Sequence, residues 1–230
     1  PPPPTSSAAS DVYKRQLRAR CGPPPWRPVD HPANVAFLTR LRSLSVNPEP
    51  WLSRPPVTVT GSNGRAVVLA LEEDPLEIFL MGERFRTCLS VRNMNFFSVF
   101  ANAADINKRV LYARTPEGDV IGRCLLALTD VGGLLTFNVY SHDAGVGLEG
   151  LVQQWVLTLA EEMGTLSVHR GTVSTLVASR WYDDGAIGQR DTFPVLWSQS
   201  FRDEVATVAP EDLVAMLTRQ LQPHLSLIHI

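Results

Sequence analysis

Residues 108–164 contain the pattern that decides the fold, and their sequence is KRVLYARTPEGDVIGRCLLALTDVGGLLTFNVYSHDAGVGLEGLVQQWVLTLAEEMG. Three apolar stretches, over residues 108–114, 119–129 and 134–140, are separated by short turns. Proline and glycine occupy these turns, where a preset φ angle or a positive φ angle is needed. The pattern predicts three consecutive strands that form an antiparallel meander.

An amphipathic helix is predicted directly after the third strand, over Leu148–Met163. Its apolar residues recur at intervals of three and four positions, and Gly164 is a typical helix stop. These residues are Leu148, Leu151, Val152, Trp155, Leu159 and Met163. Because one stripe of the helix is apolar, we expect it to cover the sheet. The predicted fold is therefore α+β: an antiparallel β-meander of three or more strands, packed on one face by this helix, with short peripheral helices.

Alternation along each strand predicts which side chains share a face of the sheet. The core-facing set is Val120, Cys124, Leu126 and Leu128 in the second strand, and Leu135, Phe137 and Val139 in the third. The opposite face of the second strand receives Ile121, Arg123, Leu125 and Ala127. Arg123 thus interrupts an apolar strand, which predicts a charged partner for it.

Shorter patterns predict the elements outside this unit. Helices are expected over residues 34–44, 74–80, 95–104, 174–182 and 210–221, and strands over residues 57–60, 66–71 and 166–168. Four prolines between residues 48 and 56 disfavour regular structure there. We therefore expect a domain boundary near Pro56.

Both ends of the chain are expected to be foreign to the protein. Residues 11–16 are DVYKRQ and residues 225–230 are LSLIHI, and codons for one can be the reverse complement of codons for the other. The stretch 6–16 also resembles a translated transposase adapter from sequencing libraries. Residues 1–16 and 225–230 are thus predicted to be adapter-derived, and the rest to be a fragment of a longer protein. That fragment is divided into a Pro/Arg-rich linker with one short helix (17–56), an α+β core domain (57–185) and an irregular segment with a C-terminal helix (186–224).

Composition and charge argue against several classes of protein. At 44% hydrophobic and 19% charged residues the chain can bury a sizeable core. A net charge of −2 gives no electrostatic basis for binding nucleic acid or an anionic membrane. No apolar run approaches the roughly 20 residues that a membrane helix needs. The three cysteines, Cys21, Cys88 and Cys124, are too widely spaced to indicate disulfides or a metal site, which favours a reducing, cytoplasmic compartment.

The junction between the third strand and the helix is the first candidate site. Gly145 and Gly147 follow His142, and backbone amides at a glycine-lined helix start can bind a pyrophosphate. The segment resembles the coenzyme-A-binding part of the GNAT acetyltransferases, with His142 in place of the usual basic or amide residue. The resemblance implies acetyl-CoA as cofactor; it identifies no general base, for which Tyr182 or Asp183 can be proposed. It requires the strand that ends at Tyr140 to diverge from its neighbour and to leave a cleft above the Gly145 amides. The alternative is that both glycines simply make a turn.

Cys88 is the second candidate, because it lies between a glycine-bearing turn and a helix. A helix start and nearby arginines (Arg84, Arg86) would stabilise its thiolate. With His142 as base, oriented by Asn138 or Asp143, this predicts a cysteine-nucleophile hydrolase or transferase. The alternative is that Cys88 is a small buried apolar residue.

A polar cluster around the first two strands is the third candidate. Its members are Asn102, Asp105, Asn107, Lys108, Arg123 and Tyr140. Asp105 is the expected partner of Arg123 if that arginine is buried. Two interpretations stay open, a structural ion pair and a ligand pocket.

A wider resemblance covers residues 66–185. The segments TCLS (87–90), ANA (101–103), NKRVLYA (107–113) and WYDDG (181–185) together resemble an uncharacterised domain of large bacterial multidomain proteins, more distantly similar to PcfJ-like domains. The resemblance implies no known activity. We therefore expect a non-catalytic or interaction module whose partners are flanking domains of the same chain. A GNAT-like acyltransferase and a thiol enzyme remain as alternatives, so the sequence leaves open whether the protein is an enzyme.

Overall fold

The computed structural model describes residues 28–91, 93 and 95–182, and these residues form six helices and six strands. The helices are α1 (Pro32–Ser43), α2 (Glu49–Ser53), α3 (Pro75–Phe79), α4 (Met81–Phe85), α5 (Ser98–Ala104) and α6 (Leu148–Met163). The strands are β1 (Val57–Thr60), β2 (Ala66–Leu71), β3 (Lys108–Arg114), β4 (Val120–Leu128), β5 (Leu134–Ser141) and β6 (Ser167–Val168). None of the helices in this part of the chain combines the length and apolar character that a bilayer span requires.

All six strands belong to one sheet, and their spatial order is their order in the chain. Neighbouring strands from β1 to β5 are antiparallel, whereas β6 is parallel to β5. The tight turns follow from local chemistry: the Gly118 amide donates to the Thr115 carbonyl at 3.0 Å, with a φ of +101° that favours glycine. The predicted α+β meander is confirmed.

Helix α6 covers one face of the sheet, as predicted. Trp155, Leu159 and Met163 of this helix pack against strand residues that include Leu111 and Leu126. The helix ends at Gly164, whose φ of +68° is the left-handed conformation expected of a C-terminal glycine. Cys124 belongs to the same core and is fully buried, as the strand pattern predicted.

Helices α1 and α2 pack on the same face, so this core extends N-terminal to the boundary expected near Pro56. Phe37, Leu41 and Trp51 belong to the same cluster as Trp155. The Trp51 indole Nε1 donates to the Ile106 carbonyl at 2.6 Å, which fixes α2 against the chain before β3. The expectation of irregular structure over residues 48–56 is wrong, because Pro50 lies in the first turn of α2, where a missing N–H costs nothing.

The opposite face of the sheet is also buried, beneath α3, α4 and α5. Val110, Tyr112 and Leu125 project from the strands into this second cluster, where they meet side chains of the three helices such as Phe79 and Val99. The sheet is therefore a middle layer between two sets of helices. Its strands are correspondingly apolar on both faces, as is usual for doubly covered sheets.

Two irregularities in the sheet change which side chains share a face. The register shifts between Ala113 and Arg114 along β3, and again where β4 pairs with β5. As a result Phe137 packs with the second cluster and Val139 with the first, and Val120 joins the second. The prediction that Phe137 and Val139 share a face is wrong, because a bulge reverses the alternation.

The segment after β6 departs from the predicted helix over residues 174–182. Residues 169–182 contain no helix, and three of their backbone amides donate to the side chain of Asp105, which precedes β3. The helix predicted over residues 210–221 and both ends expected to be adapter-derived lie outside the described residues.

Candidate functional site

Lys108 and Asp105 form the centre of the predicted polar cluster, and both are fully buried. The Lys108 ammonium donates to Asp105 Oδ2 at 2.9 Å, to Asn107 Oδ1 at 3.0 Å and to the Ser174 carbonyl at 2.7 Å. These three acceptors match the three N–H donors of an ammonium group. Its nitrogen also lies 4.9 Å from the centre of the Trp181 ring. The group is thus fully coordinated by the protein itself.

The Asp105 carboxylate is held equally well by the backbone. It accepts from the amides of Leu176 at 3.0 Å, Val177 at 2.9 Å and Ala178 at 2.8 Å, in addition to Lys108. Successive amides that point at one carboxylate form an anion-binding concavity. In a helix over residues 174–182 the Ala178 amide would donate to the Ser174 carbonyl. Here that amide donates to Asp105 and that carbonyl accepts from Lys108 and Asn107, so this bond of the predicted helix is replaced at both ends.

Other polar side chains hold the same segment before and after the residues that donate to Asp105. Ser174 donates through Oγ to Asp130 Oδ2 at 2.8 Å, and Asn107 Nδ2 donates to the Ser174 carbonyl at 2.8 Å. Ser98 Oγ exchanges bonds with the Tyr182 backbone, and the Tyr182 side chain packs against the second cluster. We call residues 172–182 the anchored segment. It supplies backbone hydrogen-bond partners to both Asp105 and Lys108, so these two side chains are bonded within the chain.

Arg123 and Tyr140 lie apart from Asp105, although the sequence placed them in one cluster. Arg123 of β4 lies opposite Tyr112 of β3, and Ala127 of β4 lies opposite Lys108 of β3. The two paired positions are four residues apart, which is about 13 Å along the strand. The guanidinium of Arg123 lies 4.4 Å from the centre of the Tyr140 ring. The cluster therefore divides into two groups. Asn102 stays near the first, where its Nδ2 donates to the Ser98 carbonyl within α5 at 2.9 Å.

Phe85 organises the second group, and no pattern in the sequence predicts this role. Its ring stacks on His142 with centroids 4.4 Å apart and 6° between the planes, and it lies 6.3 Å from Tyr140. The Arg123 guanidinium is 5.7 Å from Phe85 and donates to Thr87 Oγ1 at 3.2 Å. This group is a stack of cation and aromatic rings at the end of α4. The order of the stack comes from tertiary packing, which periodicity does not reveal.

Cys88 lies close in sequence to this stack but takes part in the apolar packing. It is half-buried and packs against the second cluster, as does Phe85. His142 is exposed and stacks on Phe85.

In the glycine loop before α6, the Gly145 amide is already bonded to the nearby side chain of Asp143. Asp143 caps a 3₁₀ turn over Ala144–Val146, and its Oδ1 accepts from the Gly145 amide at 2.9 Å. Its Oδ2 lies 3.3 Å from Arg65 Nη1. An anion at Gly145 would therefore meet a carboxylate in the place where an amide donor is expected.

Gly147 is covered by the turn between β1 and β2. Its φ is +67°, and a Cβ added there would lie 2.3 Å from Ser62 Oγ. The Ser62 amide donates to the Val146 carbonyl at 2.9 Å, which holds the turn against the loop. Gly147 thus allows a left-handed turn and a close contact, as expected if the glycines make a turn.

Strand β5 extends beyond its parallel neighbour towards the glycine loop. The parallel pairing of β5 with β6 joins Leu134 to Ser167 and Leu135 to Val168. Strand β5 then continues for six residues to Ser141, whereas β6 ends at Val168. Among the described residues, β5 is therefore paired with β6 only at its start.

An open groove of about 490 Å³ lies between β2, α3 and the turn before β4. Its charged lining consists of Glu72, Glu73, Asp74, Glu77, Asp119, Arg84 and Arg114. Glu72 pairs with Arg114 and Glu77 with Arg84. The described ranges contain no group of His, Cys, Asp or Glu side chains that could hold a metal ion. The groove is thus a set of ion pairs open to solvent.

Three exposed apolar side chains belong to chain segments that come together at the turn between β4 and β5. Leu44, Val131 and Leu166 are 45%, 73% and 75% exposed. A Cβ on Gly132 would lie 3.8 Å from Leu44 Cδ1, and Val131 precedes Gly132. Leu166 follows Thr165, whose Oγ1 donates to the Gly132 carbonyl at 2.7 Å. We call these three side chains the Gly132 surface.

Comparison with known proteins gives no relative for this chain: neither a family model, nor a curated protein, nor a solved structure matches it.

Proposed function

We propose that this domain is a non-catalytic interaction module of a longer bacterial protein. The observation that carries the proposal is the Gly132 surface, which consists of three exposed apolar side chains whose segments come together at Gly132. Single exposed apolar residues are common on soluble domains, but contiguous ones mark contact sites. The partners that fit such a position are flanking domains or other copies of the chain.

The state of the candidate catalytic groups supports the same proposal. The Gly145 amide is bonded to Asp143, and the Asp105–Lys108 pair is coordinated by the anchored segment. In each case a polar group that could bind a ligand instead stabilises the fold. These hydrogen bonds therefore support the fold of the domain, and the interaction function is assigned to its exposed surface.

Titration of the full chain with coenzyme A and acetyl-CoA, followed by thermal unfolding, tests the non-catalytic assignment. A ligand that binds the folded state raises the melting temperature in a saturable way. We expect no rise up to millimolar cofactor. A saturable rise would overturn the proposal in favour of an acyl-CoA-dependent enzyme.

Fluorescence of the hydrophobic dye bis-ANS tests the surface itself. We expect weaker dye binding in Leu166→Glu than in the parent chain. Leu157→Glu is the matched control, because Leu157 is 54% exposed in the middle of α6. Equal dye binding by both variants would contradict an apolar contact site around Gly132.

A GNAT-like N-acyltransferase that uses acetyl-CoA is the second candidate. It is favoured by the pairing of β5, which is bonded to β6 only at Leu134 and Leu135 and continues beyond it to the glycine loop. On this candidate Asp143 is an obstacle to the cofactor, and Asp143→Asn should strengthen coenzyme A binding because the carboxylate charge is removed. Equally undetectable binding by both forms would eliminate it.

A further inference from the structure

We propose that the domain carries a binding site for a bent peptide segment, and that the anchored segment occupies this site as an intramolecular ligand that can be displaced. Five polar side chains form the site, and they come from the start of α5, the chain around the start of β3 and the turn after β4: Ser98, Asp105, Asn107, Lys108 and Asp130. This inference goes beyond the contact function assigned to the Gly132 surface, because it names a second site and the chemistry of its ligand.

The site binds the segment mainly through backbone atoms. The Asp105 carboxylate accepts from the three successive amides of residues 176–178. Lys108 and Asn107 both donate to the Ser174 carbonyl, at 2.7 and 2.8 Å. Contacts of this kind recognise the path of a main chain, and in peptide-binding sites they supply affinity while a few side-chain contacts supply specificity.

Two positions of the segment make the site selective. Ser174 Oγ donates to Asp130 Oδ2 at 2.8 Å, and the Ser174 amide donates to Asp130 Oδ1 at 3.1 Å. Ala178 is only 7% exposed, so a larger side chain there would have to displace packed atoms. The site therefore selects a peptide with serine at one position and a small residue four positions later.

The anchored segment is held in a way that allows it to open before the rest of the domain. It forms neither a helix nor a strand, and Ala178 is its one buried residue. Water can satisfy the same polar groups after release, so each hydrogen bond contributes little net stability, whereas ordering each residue costs conformational entropy. Segments that bury little apolar surface open locally while the core stays folded.

Native-state hydrogen exchange of the full chain in low urea tests this local opening. We expect the amides of residues 176–178 to exchange at least tenfold faster than the central amides of β4. Ser174→Ala should accelerate their exchange further without changing that of β4, because a bond to Asp130 is lost. Thr175→Ala is the matched control, since Thr175 is exposed. Exchange of the segment and of β4 at one common rate would overturn the inference.

A fluorescent peptide of residues 172–182 tests binding between separate chains. The full chain receives a protease recognition sequence between Arg170 and Gly171, both of which are exposed, and is cleaved after folding. Fluorescence anisotropy should show saturable binding of the peptide to the cleaved chain. Binding to the uncleaved chain should be at least tenfold weaker, because the attached segment competes at a high effective concentration.

Variant peptides test the predicted selectivity. The Ser174→Ala peptide should bind about 3- to 10-fold more weakly, the effect of one lost hydrogen bond. The Ala178→Leu peptide should lose at least tenfold in affinity, and the Thr175→Ala peptide should bind as the parent does. Unfolding on cleavage, undetectable peptide binding or equal affinity of all four peptides would each refute the displaceable site. None of these results bears on the Gly132 surface, which dye binding tests separately.

Discussion

Lys108 and Asp105 show how a charged pair can be tolerated inside this domain. Both side chains are fully buried, and removal from water costs each ion several kcal/mol. Five further hydrogen bonds, two to the ammonium and three to the carboxylate, offset that cost. The pair therefore orders the anchored segment, and its integrity should decide whether that segment stays in place.

Asp105→Asn is expected to destabilise the domain by about 3–5 kcal/mol, because it leaves the buried Lys108 charge without its counter-ion. The free energy of unfolding in urea measures this loss. Combining Asp105→Asn with Lys108→Met should recover part of the stability, since neither charge then remains. A double variant as unstable as the single one would show that the pair itself is not the cause.

An exposed ion pair provides the matched control for this prediction. Arg42 and Glu49 lie 3.5 Å apart with most of both side chains in water. Glu49→Gln should change the free energy of unfolding by at most about 1 kcal/mol. A loss as large as that of Asp105→Asn would contradict the role assigned to burial.

Tyr112 gives the domain a predictable response to high pH. Burial raises the pKa of its hydroxyl above the ordinary value of 10.0, and the group donates to the Glu77 carbonyl at 2.8 Å. The folded chain keeps this proton where the unfolded chain loses it. Its contribution to stability is therefore complete below pH 10.0 and decreases as the pH rises beyond that value.

Tyr112→Phe should cost about 0.5–1.5 kcal/mol at neutral pH, because one buried hydrogen bond is lost. As the pH rises above about 10, the difference from the parent chain should narrow by up to about 1.4 kcal/mol for each pH unit. Urea unfolding at a series of pH values measures both effects. A constant difference across the alkaline range would contradict the raised pKa.

Among the elements, α4 depends on a glycine for a steric reason. A Cβ on Gly82 would lie 2.1 Å from the Leu89 carbonyl carbon and 2.2 Å from the Ser90 nitrogen. These are backbone atoms, so they cannot move aside as a side chain would. Gly82→Ala should therefore destabilise the domain by about 3 kcal/mol or more, measured as a lower melting temperature.

Gly150 in α6 is the matched control for that substitution. A Cβ on it would meet nothing within 4 Å, and it lies inside a regular helix. Gly150→Ala should stabilise the domain by about 0.5–1 kcal/mol, because alanine loses less backbone entropy on folding. Two alanine variants with the same sign of change would refute the contrast between these positions.

The elements whose formation depends on local sequence were the predictable ones. Alternation and turn residues located β1, β2 and β3 at the observed bounds, and intervals of three and four located α6. The bulge opposite Phe137 was not predictable, because it depends on how β5 meets β4. The helix predicted over residues 174–182 failed for the same reason: Asp105 and Lys108, some 70 residues earlier, bind the Ala178 amide and the Ser174 carbonyl, which would bond to each other in a helix.

The candidate site was predictable in composition and not in arrangement. Lys108 and Asp105 were placed together correctly, since they are three residues apart at the start of β3. Arg123 was assigned to the same group because a buried arginine calls for a partner, yet the sheet register places it beside Tyr140 and Phe85. The Gly132 surface was missed, because its members are far apart in sequence.

At the scale of the whole molecule, the domain begins before the expected boundary. Helices α1 and α2 supply Phe37, Leu38, Leu41 and Trp51 to the same core that contains Trp155. Trp51 is fully buried, and the backbone carbonyls of Trp51 and Leu52 accept from Arg109 at 3.0 and 3.2 Å. Strand β3 thus depends on residues that the sequence assigned to a linker.

A chain that begins at residue 57 should consequently lose cooperative folding, although it keeps every strand of the sheet. Without α1 and α2, one face of the sheet would expose apolar side chains, and the buried Arg109 would lose its carbonyl partners. Near-ultraviolet circular dichroism during heating measures the outcome: we expect a sharp transition for a chain that begins at residue 28 and none for the shorter chain. A sharp transition in both, at similar temperatures, would instead place the boundary at Pro56 and make the two helices dispensable.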